Sequence, residues 1–406
     1  MKKREMYLNI WKELSPHKSM IFLMGPRQCG KTTLAKGIAA GFPNRIYFNW
    51  DWEAHRKLLM ENSAFFERMD RKDASHPLVV LDEIHKFRRW KNYLKGVYDQ
   101  FSDRYRFLVL GSGRLNVFQK GGDSLAGRYF LFTLWPFTLA ELAGQRRLWK
   151  EFSRNPLGLS DGNLTEKIWK QLASLSGFPE PYLSGKKAIY QQWSRNYRQQ
   201  LIREDIRNMT EIKNIDDVEM LFSLLPSKVG SPLSMESLAG DLQVSFNSVR
   251  NWLGVLEAFF LVFRISPWSK KISRAITKEK KLYLYDYARI PSPPAKYENM
   301  VALELLRAVS NWNDLGRGDF ALHYVRNKER EEVDFLLTNN SAPMLLIETK
   351  FSDAAIPKSL FKFQTMLDVP SVQLVNQPGV YKILSNPSRK REVLVISASR
   401  WLAGLP

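Results

Sequence analysis

The chain has 406 residues, enough for two to four domains, and 44% of them are hydrophobic, ample for packed cores. Its single cysteine excludes an internal disulfide and makes a reducing cytoplasm the expected setting; no apolar run is long enough to span a bilayer, and none follows the basic start as a signal core. Lys and Arg number 61 against 41 Asp and Glu, a net charge of +20; small substrates rarely need that excess, so nucleic acid is the leading expected partner, with acidic membranes second.

Residues 19–25 read as a buried strand running into a glycine turn, and 31–40 as the helix that follows. Further strands are expected at 45–50, 77–82, 106–111 and 128–133. The third is almost wholly apolar, as a strand covered on both faces should be. Strands alternating with helical stretches predict a parallel α/β sheet. Beyond about residue 150 the pattern turns helical and reads as a lid. From 215 to 265 the period stays near 3.6, broken by a polar turn. Pro291-Ser292-Pro293-Pro294 reads as a linker. A helix over 297–309 and strands at 323–326, 333–337 and 344–348 complete the chain. The expected domains are 1–209, a sheet core with a helical lid; 210–290, a small helical module; and 291–406, a C-terminal α/β domain.

Gly25-Pro26-Arg27-Gln28-Cys29-Gly30-Lys31-Thr32, followed by Thr33, matches the Walker A pattern between a strand and a helix. Glycines let backbone N–H groups turn toward phosphates, and the helix N-terminus adds partial positive charge. ATP and Mg are therefore the expected cofactors, with Lys31 on the β- and γ-phosphates and Thr32 on Mg. Asp82 and Glu83 close the apolar strand, the first to hold Mg and the second to polarise the attacking water. Ser112, after the next strand, is either a γ-phosphate contact or a turn serine. Arg128 and, behind it, Arg114 are candidates for transition-state charge stabilisation, a role often supplied by a neighbouring subunit. Arg203 and Arg207 are weaker candidates. Cys29 reads as a small loop-filling residue.

Gly25 to Thr33, Leu81-Asp82-Glu83-Ile84, Gly111-Ser112-Gly113, Ser124-Leu125-Ala126-Gly127-Arg128 and the phrase from Leu134 to Leu142 resemble prokaryotic AAA+-like ATPases that carry a C-terminal DUF4143 domain. Gly177-Phe178-Pro179-Glu180-Pro181 also fits. The resemblance implies an AAA+-type ATPase core and a nucleotide or subunit-interface role for Arg128, hence a homo-oligomer with the arginine acting in trans.

Residues 234–245 and 246–256 read as two helices around a turn, with Ser245 as N-cap. Strands at 259–265 and 282–285 follow, joined by a basic stretch, which is the winged-helix pattern. One reading sets Asn247, Ser248, Arg250 and Asn251 in a DNA groove and Lys270, Lys271 and Arg274 on phosphates. The other makes the module a packing or protein-contact element.

Asp334 on one strand, with Glu348 and Lys350 on the next, resembles the PD-(D/E)xK restriction-nuclease core. Alternation sets Glu348 and Lys350 on one face. Glu298 is a further acid for Mg, and Gln364 a candidate to line the same pocket. The site either cuts DNA or belongs to a fold retained for binding. The expectation for the whole is a Mg-dependent ATPase that binds DNA and remodels, moves along or processes it. The alternative is an ATP-dependent conformational switch or protein remodeller whose C-terminal domain binds without cutting.

Overall fold

The computed structural model describes residues 3–111, 125–144, 147–159, 165–207, 212, 214–269, 279–385 and 391–406. The chain forms two compact units, Met1–Pro136 with Ala258–Phe260, and Phe137–Glu257 with Leu261–Pro406.

The first unit runs α1 (Glu5–Leu14), β1 (Met20–Met24), α2 (Lys31–Ala39), β2 (Arg45–Asn49), α3 (Glu53–Glu61), β3 (Leu78–Asp82), α4 (Trp90–Phe101), β4 (Arg106–Leu110) and β5 (Phe130–Thr133). The strands form one sheet in the order β2-β3-β4-β1-β5, every neighbouring pair parallel. All five residues of β1 and of β3 are buried, as their unbroken apolar runs predict for central strands. In α4, Trp90, Leu94, Val97 and Phe101 recur at helical spacing and form the buried stripe. They pack with Phe22, Phe48, Phe66 and Phe107 in an aromatic core, where Phe66 meets Phe101 edge-on with centroids 5.0 Å apart.

The second unit opens with helices α5 (Leu139–Ala143), α6 (Trp149–Arg154), α7 (Thr165–Leu175), α8 (Pro179–Ser184), α9 (Lys187–Gln199) and α10 (Ile215–Leu224). Then follow α11 (Met235–Leu242), α12 (Phe246–Ala258), β6 (Val262–Pro267), β7 (Lys281–Leu284) and the long α13 (Pro293–Asp314). The chain ends with β8 (Phe320–Arg326), β9 (Glu332–Asn339), β10 (Ala342–Lys350), α14 (Lys358–Leu367), β11 (Ser371–Val375), β12 (Tyr381–Ser385), β13 (Glu392–Ser397) and α15 (Ala398–Ala403). The eight strands form one sheet in the order β12-β13-β11-β10-β9-β8-β6-β7. The β6–β7 hairpin therefore belongs to the same sheet as the C-terminal strands, through the parallel pairs Ser266↔His323 and Pro267↔Tyr324.

Ser245 caps α12 as expected, its Oγ accepting from Ser248 N at 3.1 Å. The expected linker is corrected: Ser292 is the N-cap of α13, and Pro293 and Pro294 fill its first turn. A proline there forfeits an N–H that has no helical partner anyway, and its ring presets φ. The expected strand at 259–265 begins only at Val262, because Phe260 adopts φ 56°. On α13, Glu304 lies buried and its Oε1 accepts from Leu139 N at 2.6 Å, at the start of α5. Burial pushes its carboxyl up to about 7 against the pull of Arg307.

Candidate nucleotide site and carboxylate cluster

β1 delivers the chain to Gly25 at φ 145°, where an added Cβ would lie 2.1 Å from Leu134 O, so no side chain fits. Gln28 at φ 58° and Gly30 at φ 99° complete the turn, and α2 starts at Lys31. Gly30 caps α2 without a side chain, so the first-turn N–H groups are left for a ligand at the loop. Lys31, 8% exposed, donates from Nζ to Gly25 O at 3.0 Å and Pro26 O at 2.7 Å. Cys29 is buried with Sγ 3.4 Å from Leu134 O, and burial pushes its thiol up, which suits a loop filler rather than a reactive group.

Thr32 Oγ1 donates to Asp82 Oδ2 at 3.0 Å, joining the first turn of α2 to the end of β3. The Tyr47 hydroxyl donates to the same oxygen; burial, and then Asp82, push the phenol's pKa upward. Glu83 sits at φ 55°, its Oε2 3.3 Å from His85 Nε2 and 3.7 Å from Lys86 Nζ. Burial raises its carboxyl against the pull of Lys86.

Two further residues belong to this site, neither within a sequence motif. Arg4 braces the loop, donating to Cys29 O at 2.9 Å and Trp135 O at 2.7 Å. Tyr47 reaches Asp82 from β2. For Tyr47 a signal existed: it stands two residues before the end of a strand next to the Asp82 strand. Arg4 lies 25 residues from Cys29 and had none.

Arg128 holds Asp99 of α4 bidentately, Nε to Oδ1 at 2.7 Å and Nη2 to Oδ2 at 3.1 Å. The parallel register Ile21↔Phe130 to Met24↔Thr133 sets Arg128 at the N-terminal edge of the sheet and the phosphate loop at the C-terminal edge. At about 3.3 Å per residue, β5 alone separates them by about 13 Å. Arg128 thus lies away from the loop of its own chain. Ser112 and Arg114 lie outside the described residues; the neighbouring Gly111 donates from N to Leu23 O at 3.2 Å. Arg203 is paired with Glu219 and Asp216 in the second unit, and Arg207 is exposed.

In the second unit, Asn247, Arg250 and Asn251 are exposed on α12 and Ser248 is half-buried, while Val249, Trp252 and Leu253 face the core. Lys270, Lys271 and Arg274 lie outside the described residues. The C-terminal acids gather as follows. Asp334 Oδ2 accepts from Thr349 N at 2.8 Å and Thr349 Oγ1 at 2.6 Å, where the β9–β10 pairing ends at Phe335↔Ile347. One further step of that register sets Asp334 opposite Glu348. Glu348 Oε1 accepts from Lys350 Nζ at 2.7 Å, and burial, with Asp334 next, pushes its carboxyl up to about 8. Glu298 on α13 accepts from Tyr283 Oη at 2.8 Å and is pushed up to about 7, by burial before Asp334. Gln364 is buried and donates to Glu392 O at 3.0 Å, a core bond to β13. The residue that the sequence pattern missed is Lys281 of β7. Its Nζ lies 2.6 Å from Glu332 Oε1, 3.2 Å from Glu298 Oε1 and 3.5 Å from Asp334 Oδ1.

A glycine loop between a buried strand and a helix N-terminus, with a lysine, a hydroxyl and a strand-end carboxylate around it on five parallel strands, defines an AAA-type P-loop fold. The family model for AAA domains matches residues 17–143, that for a domain of unknown function (DUF8612) matches 166–289, and that for DUF4143 matches 295–401. The chain thus carries an AAA domain over residues 17–143 and a DUF4143 domain over residues 295–401. An uncharacterized protein of Mycobacterium tuberculosis is 21% identical over 378 residues, 89% of this chain and 77% of that protein. One of Methanocaldococcus jannaschii is 25% identical over 290 residues, 65% of this chain and 60% of that protein. Among solved structures, a Walker-type ATPase of Pyrococcus abyssi shares 14% identity at a TM-score of 0.43, over 70% of this chain and 94% of that one. AMPPCP-bound DnaA of Aquifex aeolicus shares 15% identity at a TM-score of 0.30, over 62% of this chain and 86% of that one. Among the described residues no helix is long and apolar enough to cross a membrane.

Proposed function

We propose that the chain is a Mg-dependent ATPase that binds DNA and couples ATP hydrolysis to remodelling, moving along or processing it. The Thr32–Asp82 contact carries the first half of this reading: a hydroxyl and a carboxylate from two elements meet 3.0 Å apart beside the phosphate loop. Those two groups are the donor set that suits Mg, and MgATP supplies the phosphoryl group to be transferred. The loop and the α2 N-terminus hold the phosphates through backbone N–H groups. Lys31 neutralises phosphate charge with an amine held at the loop. Glu83, its proton affinity raised by burial, accepts the proton of the attacking water. Arg128 serves the site of a second copy. The loop's purity of purpose is tested by phosphate release with ATP and Mg, against Lys31→Ala and Glu83→Gln; turnover surviving in Lys31→Ala overturns the assignment.

The DNA half rests on the net charge of +20 and on the exposed Asn247, Arg250 and Asn251 of α12. Lys270, Lys271 and Arg274 would add phosphate contacts. Turnover measured with duplex, single-stranded and branched DNA decides: stimulation supports coupling, and a slow rate indifferent to DNA favours a conformational switch or protein remodeller. Arg250→Ala with Lys271→Ala is expected to lower DNA affinity and flatten its salt dependence.

One observation favours the alternative for the C-terminal domain, binding without cutting. Two of the acids that a metal-dependent endonuclease would use, Glu298 and Asp334, face the Lys281 ammonium. Incubation of DNA with Mg or Mn separates the readings: cleavage lost in Asp334→Ala supports an endonuclease, and no cleavage supports binding alone.

A further inference from the structure

Lys281 is 1% exposed, yet it is a lysine. An isolated buried ammonium gives up its charge, because a medium of low polarity cannot solvate it. Here burial opposes the charge, but Glu298, Asp334 and Glu332 outweigh it and hold the amine above its ordinary range. Three N–H donors meet three carboxylates, and the Tyr324 ring closes the pocket with its centroid 5.6 Å from Nζ. The acids come from α13 and β9, and the lysine comes from β7.

We propose that the Lys281 ammonium is the resident cation of Glu298, Glu332 and Asp334, and that this trio takes no divalent ion while the amine is present. Magnesium requires near-octahedral oxygens at about 2.0–2.1 Å. Most of the oxygens that would supply them are engaged. Glu298 Oε1 and Asp334 Oδ1 lie 3.2 and 3.5 Å from Nζ. Asp334 Oδ2 holds both Thr349 donors, and Glu348 Oε1 holds Lys350. Glu348 Oε2 is buried with no hydrogen-bond partner, but one oxygen is not a cage. Among the described residues no three His, Cys, Asp or Glu side chains gather as a metal-holding group. The restriction-nuclease resemblance therefore stops short of its metal: the acids are present, and an internal lysine occupies their centre. The ammonium also ties the β6–β7 hairpin to the C-terminal acids, so a change in the hairpin would be felt at Asp334.

The inference does not depend on the ATPase reading. Mn2+ binding is measured by electron paramagnetic resonance without nucleotide, in full-length chains carrying Asp82→Asn so that the phosphate-loop carboxylate contributes nothing. With Lys281 present, adding Asp334→Asn is expected to leave Mn2+ binding unchanged. With Lys281→Met, a new stoichiometric site is expected, and Asp334→Asn should remove it. Saturable Mn2+ binding that Asp334→Asn abolishes while Lys281 is present overturns the proposal. So does a Lys281→Met chain that is folded by near-ultraviolet circular dichroism and gains no site. If Lys281→Met does not fold, the first comparison decides by itself.

Discussion

Thr32 and Asp82 stand 50 residues apart in sequence and meet at 3.0 Å, although β4 separates β3, which ends in Asp82, from β1, which leads through the loop to Thr32. The first turn of α2, directly after the phosphate loop, makes the contact with the last residue of β3. Substitutions at this junction should separate binding from turnover. Lys31→Ala is expected to lose nucleotide affinity. Asp82→Asn and Glu83→Gln should keep measurable binding of a fluorescent ATP analogue and lower kcat by about 100-fold or more. Equal losses of binding in all three would refute these separate roles.

Gly25 is required for two reasons, the 2.1 Å approach of any Cβ to Leu134 O and φ 145°. Gly25→Ala must displace backbone, not a flexible side chain. Its expected cost is on the order of 3 kcal/mol, read as a lowered unfolding transition together with lost nucleotide binding. Gly37→Ala is the control: nothing lies within 4 Å of an added Cβ there.

Arg128 sits at the sheet edge opposite its own phosphate loop, so a catalytic role needs a second copy. Specific ATPase activity is expected to rise with protein concentration in the unaltered chain. Arg128→Ala should flatten that dependence without weakening nucleotide binding. Activity independent of concentration, and unchanged by the substitution, would argue for a purely structural pair with Asp99.

Glu304 sets a pH dependence of stability. Its carboxyl is raised from 4.5 to about 7, so the native state keeps a proton that the unfolded chain has lost. The contribution is fully present below pH 4.5 and is lost as pH rises through 7. Glu304→Gln removes this slope. The variant should gain on the unaltered chain between pH 5 and pH 7.5 by up to about 3 kcal/mol, measured by denaturant unfolding at each pH. A difference that is flat in pH refutes the assignment.

The parallel sheet of the first unit is legible because its central strands β1, β3 and β4 are apolar runs that lead into glycine or acidic turn residues. Both helices of the middle module were legible from their period, and so was the Ser245 cap. Pro293 and Pro294 are ambiguous in sequence because the same residue that ends structure in most settings also fits the first turn of a helix, and only the partners of α13 select between the two. Strands β11 to β13 are less legible: 371–375 and 392–397 are short runs without a glycine turn signal like that after β1, and β12 (Tyr381–Ser385) is exposed throughout.

What the sequence determined by itself is the phosphate loop, with Lys31, Thr32 and the strand-end acids Asp82 and Glu83. Each of these two features is a short contiguous motif, and its meaning depends on backbone conformations that glycine and neighbouring residues set locally. The tertiary structure alone decided that Arg4 braces the site, that the Tyr47 hydroxyl reaches the Asp82 oxygen that Thr32 also holds, that Arg128 faces away from the loop, and that Lys281 fills the centre of the C-terminal acids. Each of these depends on the approach of groups from 25 to more than 50 residues apart. Such pairs leave no periodic trace, because it is the packing of whole sheets and helices that brings their charges together.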